Sequence, residues 1–317
     1  MKYLQFNNQD KLPIIGLGTW KSAPGEVYNA VLEAIKIGYR HIDCAFIYRN
    51  EKEIGDALEE AFSSNLVQRN ELFITSKLWN NSHESDKVEG ALLTTLKDLK
   101  IEYIDLYLMH WPVVFKNNLL DPESSNDLLT LEDVPLLETW LAMEKLVNKG
   151  LVKHIGVSNF NIPKLQNLID HANIKPEMNQ VEIHPFHSQT DLVDFCQAND
   201  ILMTAYAPLG SNDRSAAIKG KNEKSLLEND TIINIAQKIK ATPAQVLLAW
   251  QIKRNIAVIP KSVHANRLKE NLNAQSIILS QEDFDEINSL NINERYIHGE
   301  FWSFEGKGYT ADDIWNK

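Results

Sequence analysis

Short apolar runs recur along the chain and are separated by longer segments of mixed character. The runs lack the apolar–polar alternation of a half-exposed strand, which is typical of parallel strands buried on both faces. Eight runs fit this description and predict β-strands. They are Ile14–Leu17, His41–Asp43, Leu72–Ser76, Ile104–Met109, His154–Val157, Met178–Ile183, Leu202–Ala205 and Ala257–Ile259.

Between the runs, apolar residues repeat at every third or fourth position, which predicts helices. The clearest segments are Val27–Ile37, Glu51–Ala61, Val88–Leu99, Leu136–Val147, Pro243–Trp250 and Asp283–Leu290. Strands that alternate with helices, eight strands in all, predict the α/β class and a (β/α)8 TIM barrel. The alternative is a doubly wound open sheet. Against it, no GxGxxG motif follows an early strand, and Gly16-Leu17-Gly18 lacks the third glycine.

Three further segments complete the predicted architecture. The Asn-Asn-Gln-Asp sequence at residues 7–10 supplies turn residues and predicts a short N-terminal β-hairpin. Val113–Val134 and Gly210–Lys224 are predicted to be long loops, which on a barrel often carry function. The tail from residue 291 is rich in aromatic residues, so we expect a long C-terminal loop packed over the active-site mouth. No linker interrupts the chain, and residues 1–317 are predicted to form one domain.

Charge and cysteine content narrow the class of protein. The chain has 32 basic and 43 acidic residues and a net charge of −11, which disfavours nucleic acid as a partner. Cys44 and Cys196 are the only cysteines, so neither a disulfide framework nor a zinc site is expected. The first ten residues are too polar for a signal peptide, and no run of 18 apolar residues predicts a membrane span. We expect a cytoplasmic protein without a metal.

Four ionisable side chains fall at the ends of neighbouring predicted strands. Asp43 ends the second strand, with Tyr48 five residues beyond it; Lys77 and His110 follow the third and fourth strands. Because these strand ends form the working face of a barrel, we expect the four to converge. A free phenol has a pKa near 10, which we expect the Lys77 ammonium to lower. Asp43 would hold Lys77, and His110 would orient a carbonyl oxygen or relay a proton.

Each of these residues also has a structural explanation. Asp43 and Lys77 would make an ordinary ion pair, His110 precedes a Trp-Pro pair, and Tyr48 would suit the rim of the barrel. Their joint occurrence at successive strand ends favours chemistry at an oxygen that gains negative charge. Hydride reduction of a carbonyl group creates such a charge.

Three longer motifs extend this pattern. They are residues 38–45 followed by Tyr48, Glu53 and Gly55; residues 151–160; and residues 259–262 followed by Arg267, Glu270 and Asn271. With them, the chain resembles the aldo-keto reductase superfamily, in particular its aldose reductase-like branch, from about Leu12 to Leu290. The resemblance implies a monomeric, metal-free oxidoreductase that uses NADPH/NADP+ to reduce a small aldehyde, aldose or ketone. It places Asp43, Tyr48, Lys77 and His110 on catalytic positions, with Tyr48 as the general acid.

The resemblance also assigns a cofactor site. Ser158, Asn159 and Gln180 would hold the carboxamide, and Tyr206 would stack on the nicotinamide ring, although Asn159 would equally suit the cap of the next helix. Two cations and a hydroxyl near a helix start suit a phosphate. The remaining positions, with their implied partners, are Lys261, Ser262 and Arg267 for the 2′-phosphate; Glu270 and Asn271 for adenine; and Leu209, Ser211 and Asp213, with Lys21 opposite, over the pyrophosphate.

In the same resemblance, aromatic residues fall on the positions that wall the substrate pocket. Such residues would exclude water from a carbonyl substrate. They are Trp20, Trp79, Trp111, Phe115 and, from the tail, Trp302. Two other functions stay open. One is an NADPH-binding regulatory or structural protein on the same fold, without turnover. The other is an unrelated barrel enzyme that binds sugar phosphates through Lys261 and Arg267.

Overall fold

The computed structural model describes residues 1–117, 119–211, 214, 219, 225–304 and 307–316. The strands are β1 (Tyr3–Gln5), β2 (Lys11–Pro13), β3 (Leu17–Gly18), β4 (His41–Asp43), β5 (Phe73–Leu78), β6 (Ile104–Met109), β7 (Val114–Phe115), β8 (Leu128–Leu129), β9 (Val152–Ser158), β10 (Met178–Glu182), β11 (Leu202–Tyr206), β12 (Ala257–Val258), β13 (Ser303–Phe304) and β14 (Lys307–Gly308). The helices are α1 (Glu26–Ile37), α2 (Glu51–Ser63), α3 (Val88–Leu99), α4 (Leu136–Asn148), α5 (Ile162–His171), α6 (Thr190–Ala198), α7 (Asp230–Ile239), α8 (Pro243–Lys253), α9 (Ala265–Asn273), α10 (Gln281–Asn288) and α11 (Ala311–Trp315).

Eight parallel strands form the central sheet, in the order β3-β4-β5-β6-β9-β10-β11-β12. Every residue of β5 and β6 is buried. This explains why the runs do not alternate between apolar and polar residues, because one face of each strand fills the barrel interior and the other packs against the surrounding helices. The first predicted strand is shorter than expected, since only Leu17–Gly18 forms strand, with a single bridge from Ile15 to Val258.

The barrel closes where the segment around β3 meets the segment around β12. The N–H of Gly16 donates to the carbonyl oxygen of Val258 at 2.8 Å, and the N–H of Gly18 donates to that of Pro260 at 3.2 Å. A Cβ atom on Gly18 would lie 2.5 Å from the carbonyl oxygen of Ile259, so this close approach requires glycine. The predicted TIM barrel is confirmed, and the glycine pair belongs to its closure.

All six predicted helices are present, as α1–α4, α8 and α10. Helices α5, α6, α7 and α9 also alternate with the barrel strands, although the sequence pattern does not single them out as helical segments. Each of the four is nine or ten residues long and buries two or three apolar side chains. No helix within the described ranges is long and apolar enough to cross a membrane.

The two predicted loops are described to different extents. The stretch Val113–Val134 lies in the long connection from β6 to α4, as predicted, and contains a short antiparallel pair in which Val114 of β7 pairs with Leu129 of β8. Most of Gly210–Lys224 lies outside the described residues.

The N-terminal hairpin is confirmed and covers the amino-terminal end of the barrel. Strands β1 and β2 pair antiparallel across residues 6–10. The ring of Phe6 stacks on the ring of His154 with centroids 3.8 Å apart, and Asp10 Oδ2 lies 3.0 Å from His154 Nε2. His154 stands near the start of β9, so these contacts fix the hairpin at the end opposite the predicted active site.

The tail packs at the carboxyl end of the barrel, as predicted. Trp302, Tyr309 and Ile314 are buried in one cluster with Trp79 and Trp111, which follow β5 and β6. The tail is more regular than a plain loop, because it carries the β13–β14 hairpin and the short helix α11. The carboxyl face of the barrel is therefore partly walled by the tail.

The packing of α2 on α3 gives a stability prediction. A Cβ atom on Gly55 of α2 would collide with the carbonyl oxygen of Asp98, whereas one on Gly90 of α3 would meet nothing within 4 Å. We expect Gly55→Ala to lower the free energy of unfolding by about 1–3 kcal/mol through overpacking. Gly90→Ala, the matched control, should raise it by about 0.5–1 kcal/mol. Urea unfolding measures both values, and equal effects of the two changes would contradict this packing.

Candidate active site

Lys77, next to last in β5, is fully buried, and its ammonium group has three acceptors. Nζ donates to Asp43 Oδ1 at 2.6 Å, to the carbonyl oxygen of Cys44 at 2.8 Å and to Tyr48 Oη at 3.4 Å. An ammonium group has three N–H donors, so each donor has one partner. The contacts place the Tyr48 hydroxyl beside a buried positive charge.

Asp43, the last residue of β4, is equally well engaged. Its Oδ1 accepts from Lys77, its Oδ2 accepts from Gln180 Nε2 at 2.7 Å, and its main-chain oxygen accepts from Thr19 Oγ1 at 2.8 Å. Burial alone would lower the pKa of Lys77, but the Asp43 carboxylate and the hydrogen bonds to Asp43 and Tyr48 raise it above its ordinary value. The ammonium therefore stays charged at neutral pH.

Tyr48 ends the short turn Phe46–Tyr48 that follows β4. Burial raises the pKa of its phenol to about 12, and the Lys77 ammonium offsets only part of that rise. The expectation that Lys77 brings this pKa below its ordinary value is therefore wrong, because desolvation of the phenolate outweighs the attraction of one cation. Tyr48 thus carries its proton throughout the neutral pH range.

His110 follows β6 and is buried against aromatic rings. Its ring meets the Tyr48 ring edge-on with centroids 6.0 Å apart, and the Trp79 ring at 5.2 Å. Burial and the nearby Lys77 charge hold the pKa of His110 well below its usual range, so the imidazole is neutral. The structure thus brings Asp43, Tyr48, Lys77 and His110 together, as the strand-end positions predict.

A second network joins this group to the strands on the other side of the barrel. Ser158 Oγ donates to the carbonyl oxygen of Gln180 at 2.7 Å. Asn159 Nδ2 donates to Ser158 Oγ at 3.2 Å and to the carbonyl oxygen of His110 at 3.0 Å, while Tyr206 Oη donates to Asn159 Oδ1 at 2.7 Å. Since Gln180 also donates to Asp43, one chain of hydrogen bonds spans the site.

Asn159 does not cap the helix that follows it. The cap of α5 is Asn161, whose side chain accepts from the N–H of Lys164 at 3.0 Å. Asn159 instead has a φ of 65°, in the left-handed region. This conformation is unfavourable for residues other than glycine and persists where surrounding contacts enforce it. The hydrogen bonds of the Asn159 side-chain amide provide such contacts here.

The segment between β12 and α9 carries the residues matched to a phosphate. Lys261 and Arg267 are exposed, and neither makes an ion pair with any residue that the structure describes. Ser262 is buried, and its Oγ accepts from the N–H of His264, the residue that precedes α9. Further along α9, Glu270 is exposed and Asn271 is buried.

The residues matched to the cofactor-covering loop are described only in part. Leu209 and Ser211 follow β11, and Ser211 has a left-handed φ of 47°. Asp213, the predicted partner of Lys21, lies outside the described residues. The latch between Lys21 and Asp213 therefore stays a prediction.

Four of the five predicted pocket residues form one aromatic cluster. The rings of Trp111 and Trp302 meet edge-on with centroids 4.7 Å apart, and Phe115 lies 5.8 Å from both Trp79 and Trp302. Trp20 lies outside this cluster and is 43% exposed. Its ring centroid is 6.2 Å from that of Tyr48. Aromatic side chains of the barrel and of the tail thus lie next to the four ionisable side chains at the strand ends.

Sequence reasoning missed Glu182, the last residue of β10. Its side chain is buried, with Oε1 accepting from His184 Nε2 at 2.8 Å and from the N–H of Tyr296 at 2.6 Å. Its Oε2 accepts from the N–H of Ile297 at 2.8 Å. Glu182 therefore anchors the start of the tail to the barrel. The sequence feature that could have pointed to Glu182 is its position as an acidic residue inside the buried run Met178–Ile183.

Comparison with known proteins agrees with this geometry. The model of the aldo/keto reductase family matches residues 14–292, which include every strand of the barrel. The chain belongs to the aldo/keto reductase family. As a member of this family, the protein is an oxidoreductase that reduces carbonyl groups.

Relatives of this aldo/keto reductase match it over nearly its whole length. Aldo/keto reductase slr0942 of Synechocystis sp. is 48% identical over 317 residues, which cover 100% of this chain and 97% of that protein. Human aldo-keto reductase family 1 member A1 is 46% identical over 289 residues, covering 90% of this chain and 88% of that protein. The solved structure of the aldose reductase from Schistosoma japonicum has a TM-score of 0.87 at 46% identity and covers 95% of this chain and 96% of its own.

The buried pair of Asp43 and Lys77 gives a second stability prediction. Asp43→Leu leaves an unpaired cation in the interior, and we expect it to lower the free energy of unfolding by about 3–5 kcal/mol. The double variant with Lys77→Met also removes that cation, and it should recover most of the free energy of unfolding that Asp43→Leu loses. Urea unfolding at pH 7 measures both proteins.

The exposed pair of Lys149 and Glu89, 2.6 Å apart, is the control for this comparison. Glu89→Ala should change the free energy of unfolding by less than about 1 kcal/mol, because solvent screens the pair. A double variant no more stable than Asp43→Leu alone would contradict the assigned role of the buried charge.

Proposed function

We propose that the protein is an NADPH-dependent reductase of small aldehydes, aldoses or ketones, and that Tyr48 is its general acid. In this proposal residues 1–317 act as one domain and as a monomer. The contact between the Lys77 ammonium and Tyr48 Oη is the observation that carries it.

The direction of that hydrogen bond matters for the chemistry. Tyr48 Oη accepts from Lys77, so the phenolic hydrogen is available to another acceptor, such as a substrate carbonyl oxygen. That oxygen becomes alkoxide-like as the carbonyl carbon is reduced. An alkoxide is more basic than a phenolate, so proton transfer from Tyr48 is favourable even with a phenol pKa of about 12. Lys77, held by Asp43, then stabilises the phenolate.

His110 supplies a second hydrogen-bond donor in this proposal. A neutral imidazole has one N–H and one acceptor nitrogen, and the low pKa of His110 keeps it neutral. Its ring lies edge-on to that of Tyr48. A hydrogen bond from this N–H to the same carbonyl oxygen would fix the orientation of the substrate. That bond would strengthen as negative charge develops on the oxygen.

The side chains around Gln180 fit a nicotinamide. Gln180 donates to Asp43, which leaves its side-chain oxygen to accept from a carboxamide. The Tyr206 hydroxyl is tied to Asn159, so its ring offers a fixed flat face for stacking. Ser158 and Asn159 complete this platform. A reduced nicotinamide supplies the hydride when bound, and the protein orients it.

The positive charges near α9 fit the additional phosphate of NADPH. Lys261 and Arg267 flank the first turn of α9, where free main-chain N–H groups also attract anions. Such exposed cations are notable in a chain of net charge −11. Beyond the phosphate, the proposal keeps Glu270 and Asn271 at the adenine and places a loop with Leu209, Ser211 and Asp213, opposite Lys21, over the pyrophosphate.

The catalytic role of Tyr48 is tested by Tyr48→Phe, which removes the hydroxyl and keeps the ring. We expect kcat for carbonyl reduction to fall by about 10²–10⁴-fold, the usual contribution of a general acid, with NADPH binding retained. Consumption of NADPH with a panel of aldehydes, aldoses and ketones measures the rate, and NADPH titration measures the binding.

Tyr3→Phe, the same change at an exposed position of β1, should leave the rate unchanged. Full activity of Tyr48→Phe would refute the assignment of the acid. Wild-type protein that binds NADPH but turns over none of the panel would favour the regulatory alternative. Binding of a sugar phosphate without any binding of nucleotide would favour the unrelated enzyme.

Cofactor choice is tested at Lys261 and Arg267. Because a charged hydrogen bond contributes about 1.5–3 kcal/mol, each change to Ala should raise KM for NADPH about 10- to 100-fold while changing KM for NADH little. Lys269→Ala, an exposed cation on the same helix, is the control. Equal effects on the two cofactors would contradict the phosphate role.

A further inference from the structure

Buried polar atoms without protein partners occur on the His110 ring and in the segment that follows β5. Within the described part of the chain, no hydrogen-bond partner is present for His110 Nδ1, for either polar atom of the Asn80 side chain, or for either ring nitrogen of His83. The side chains of Asn80 and His83 are fully buried. Buried polar groups of this kind normally have hydrogen-bond partners, because leaving one unpaired is unfavourable.

These three residues belong to neighbouring segments. The N–H of His110 donates to the carbonyl oxygen of Leu78 at 3.1 Å, and Trp79, the next residue, meets the His110 ring edge-on. The chain then enters the short turn Asn80–Ser82 and reaches His83. His83 is near enough that a charge on it would lower the pKa of His110 further.

The turn that carries these side chains is anchored on both sides. Thr139 Oγ1 of α4 donates to the carbonyl oxygen of His83 at 2.7 Å. Asn117 Nδ2 donates to the carbonyl oxygen of Asn81 at 3.1 Å. The main chain of this turn is therefore held on both sides, at Asn81 next to Asn80 and at His83 itself.

The two nitrogens of the His110 ring face different surroundings. Nδ1 is buried without a protein partner among the described residues, whereas Nε2 is not among the buried unpartnered atoms and has no hydrogen bond to any of those residues. Nε2 is therefore the nitrogen that remains accessible, and Nδ1 faces the interior. A neutral imidazole carries its proton on one nitrogen only, so whatever contacts Nδ1 determines whether Nε2 can donate.

We propose that Asn80 and His83 bind ordered water against His110 Nδ1 and thereby keep the ring proton on Nε2. Asn80 offers two donors and one acceptor, and neutral His83 offers one of each, so a bridging water can find three or four partners. The water donates to Nδ1. Asn80 and His83 are positioning residues that act through His110 and do not touch the substrate.

This inference rests on the proposed function, in which His110 donates to the carbonyl oxygen. It extends that function by naming the residues that select the donating tautomer. Groups that fix a histidine tautomer from behind the ring affect activity strongly in metal sites, where their removal typically costs about 10–100-fold. The same logic applies to a histidine that must present one N–H to a substrate.

The direct test is a high-resolution crystal structure of the wild-type protein with NADP+. We expect an ordered water within 3.5 Å of His110 Nδ1 that also contacts Asn80 or His83. A direct side-chain contact to Nδ1, or no water at that atom, would overturn the proposal. This test does not depend on any variant folding.

The functional test compares variants by ¹⁵N NMR of labelled histidine and by kinetics. The wild-type His110 is expected as the neutral Nε2–H form. Asn80→Ala and His83→Phe should shift its ring-nitrogen resonances towards the Nδ1–H form and lower kcat about tenfold, with KM for NADPH unchanged. His110→Asn identifies the His110 signals.

Matched variants separate positioning from general damage to the turn. Asn81→Ala makes the same change one residue away, at a side chain with none of the unpartnered atoms, and should behave as wild type. His83→Gln keeps a donor and an acceptor and should restore most of the activity lost in His83→Phe. Folded Asn80→Ala and His83→Phe proteins with wild-type resonances and wild-type kcat would overturn the proposal.

Failure of the proposed function would look different. In that case the wild-type protein would reduce no carbonyl compound with NADPH, while the NMR and crystallographic results would still decide whether the water and the tautomer are as proposed. If Asn80→Ala does not fold, Asn80→Ser keeps a polar group of smaller size, and an intermediate shift of the His110 resonances is expected from it.

Discussion

The burial of the Lys77 ammonium against Asp43 is the constraint on which the rest of the site depends. Removing both charges from water costs several kcal/mol for each ion, and the cost is met only when geometry and hydrogen bonds are nearly complete. Here every Lys77 donor and both Asp43 oxygens have partners. One of these partners is Tyr48, so the hydroxyl of the proposed acid is positioned by the same contacts that allow the pair to be buried.

This constraint also reaches the cofactor platform. Asp43 can satisfy its second oxygen only because Gln180 approaches from the far side of the barrel, and that approach requires a closed barrel. Closure in turn depends on the tight contact of Gly18 with the segment after β12, which continues to Lys261. The proposed acid, the proposed nicotinamide site and the proposed phosphate segment are therefore placed relative to one another by the closed barrel.

The sequence predicts this barrel because its mostly apolar strand segments lack apolar–polar alternation, and it predicts the four ionisable residues because they lie at or near the ends of adjacent strands. Further roles came from the family motifs. Asn159 illustrates what local reasoning could not reach: it looks like a helix cap, but Asn161 caps and Asn159 bonds across strands. The pKa of Tyr48 was misjudged for a similar reason, because burial depends on the whole fold while the neighbouring Lys77 is visible in the sequence.

The proposed reaction and the proposed substrate pocket lie in structurally different parts of the molecule. The four ionisable residues stand at or just beyond the ends of buried strands, whereas the aromatic cluster combines barrel residues with Trp302 of the tail. That tail is joined to the barrel through its main chain, by Tyr296 and Ile297 bonded to the Glu182 carboxylate. Side chains beyond this anchor can therefore change without disturbing the ion pair. A proposed proton donor held at the strand ends, next to an aromatic cluster that includes a tail residue, would let such a barrel keep one reaction while its carbonyl substrates differ.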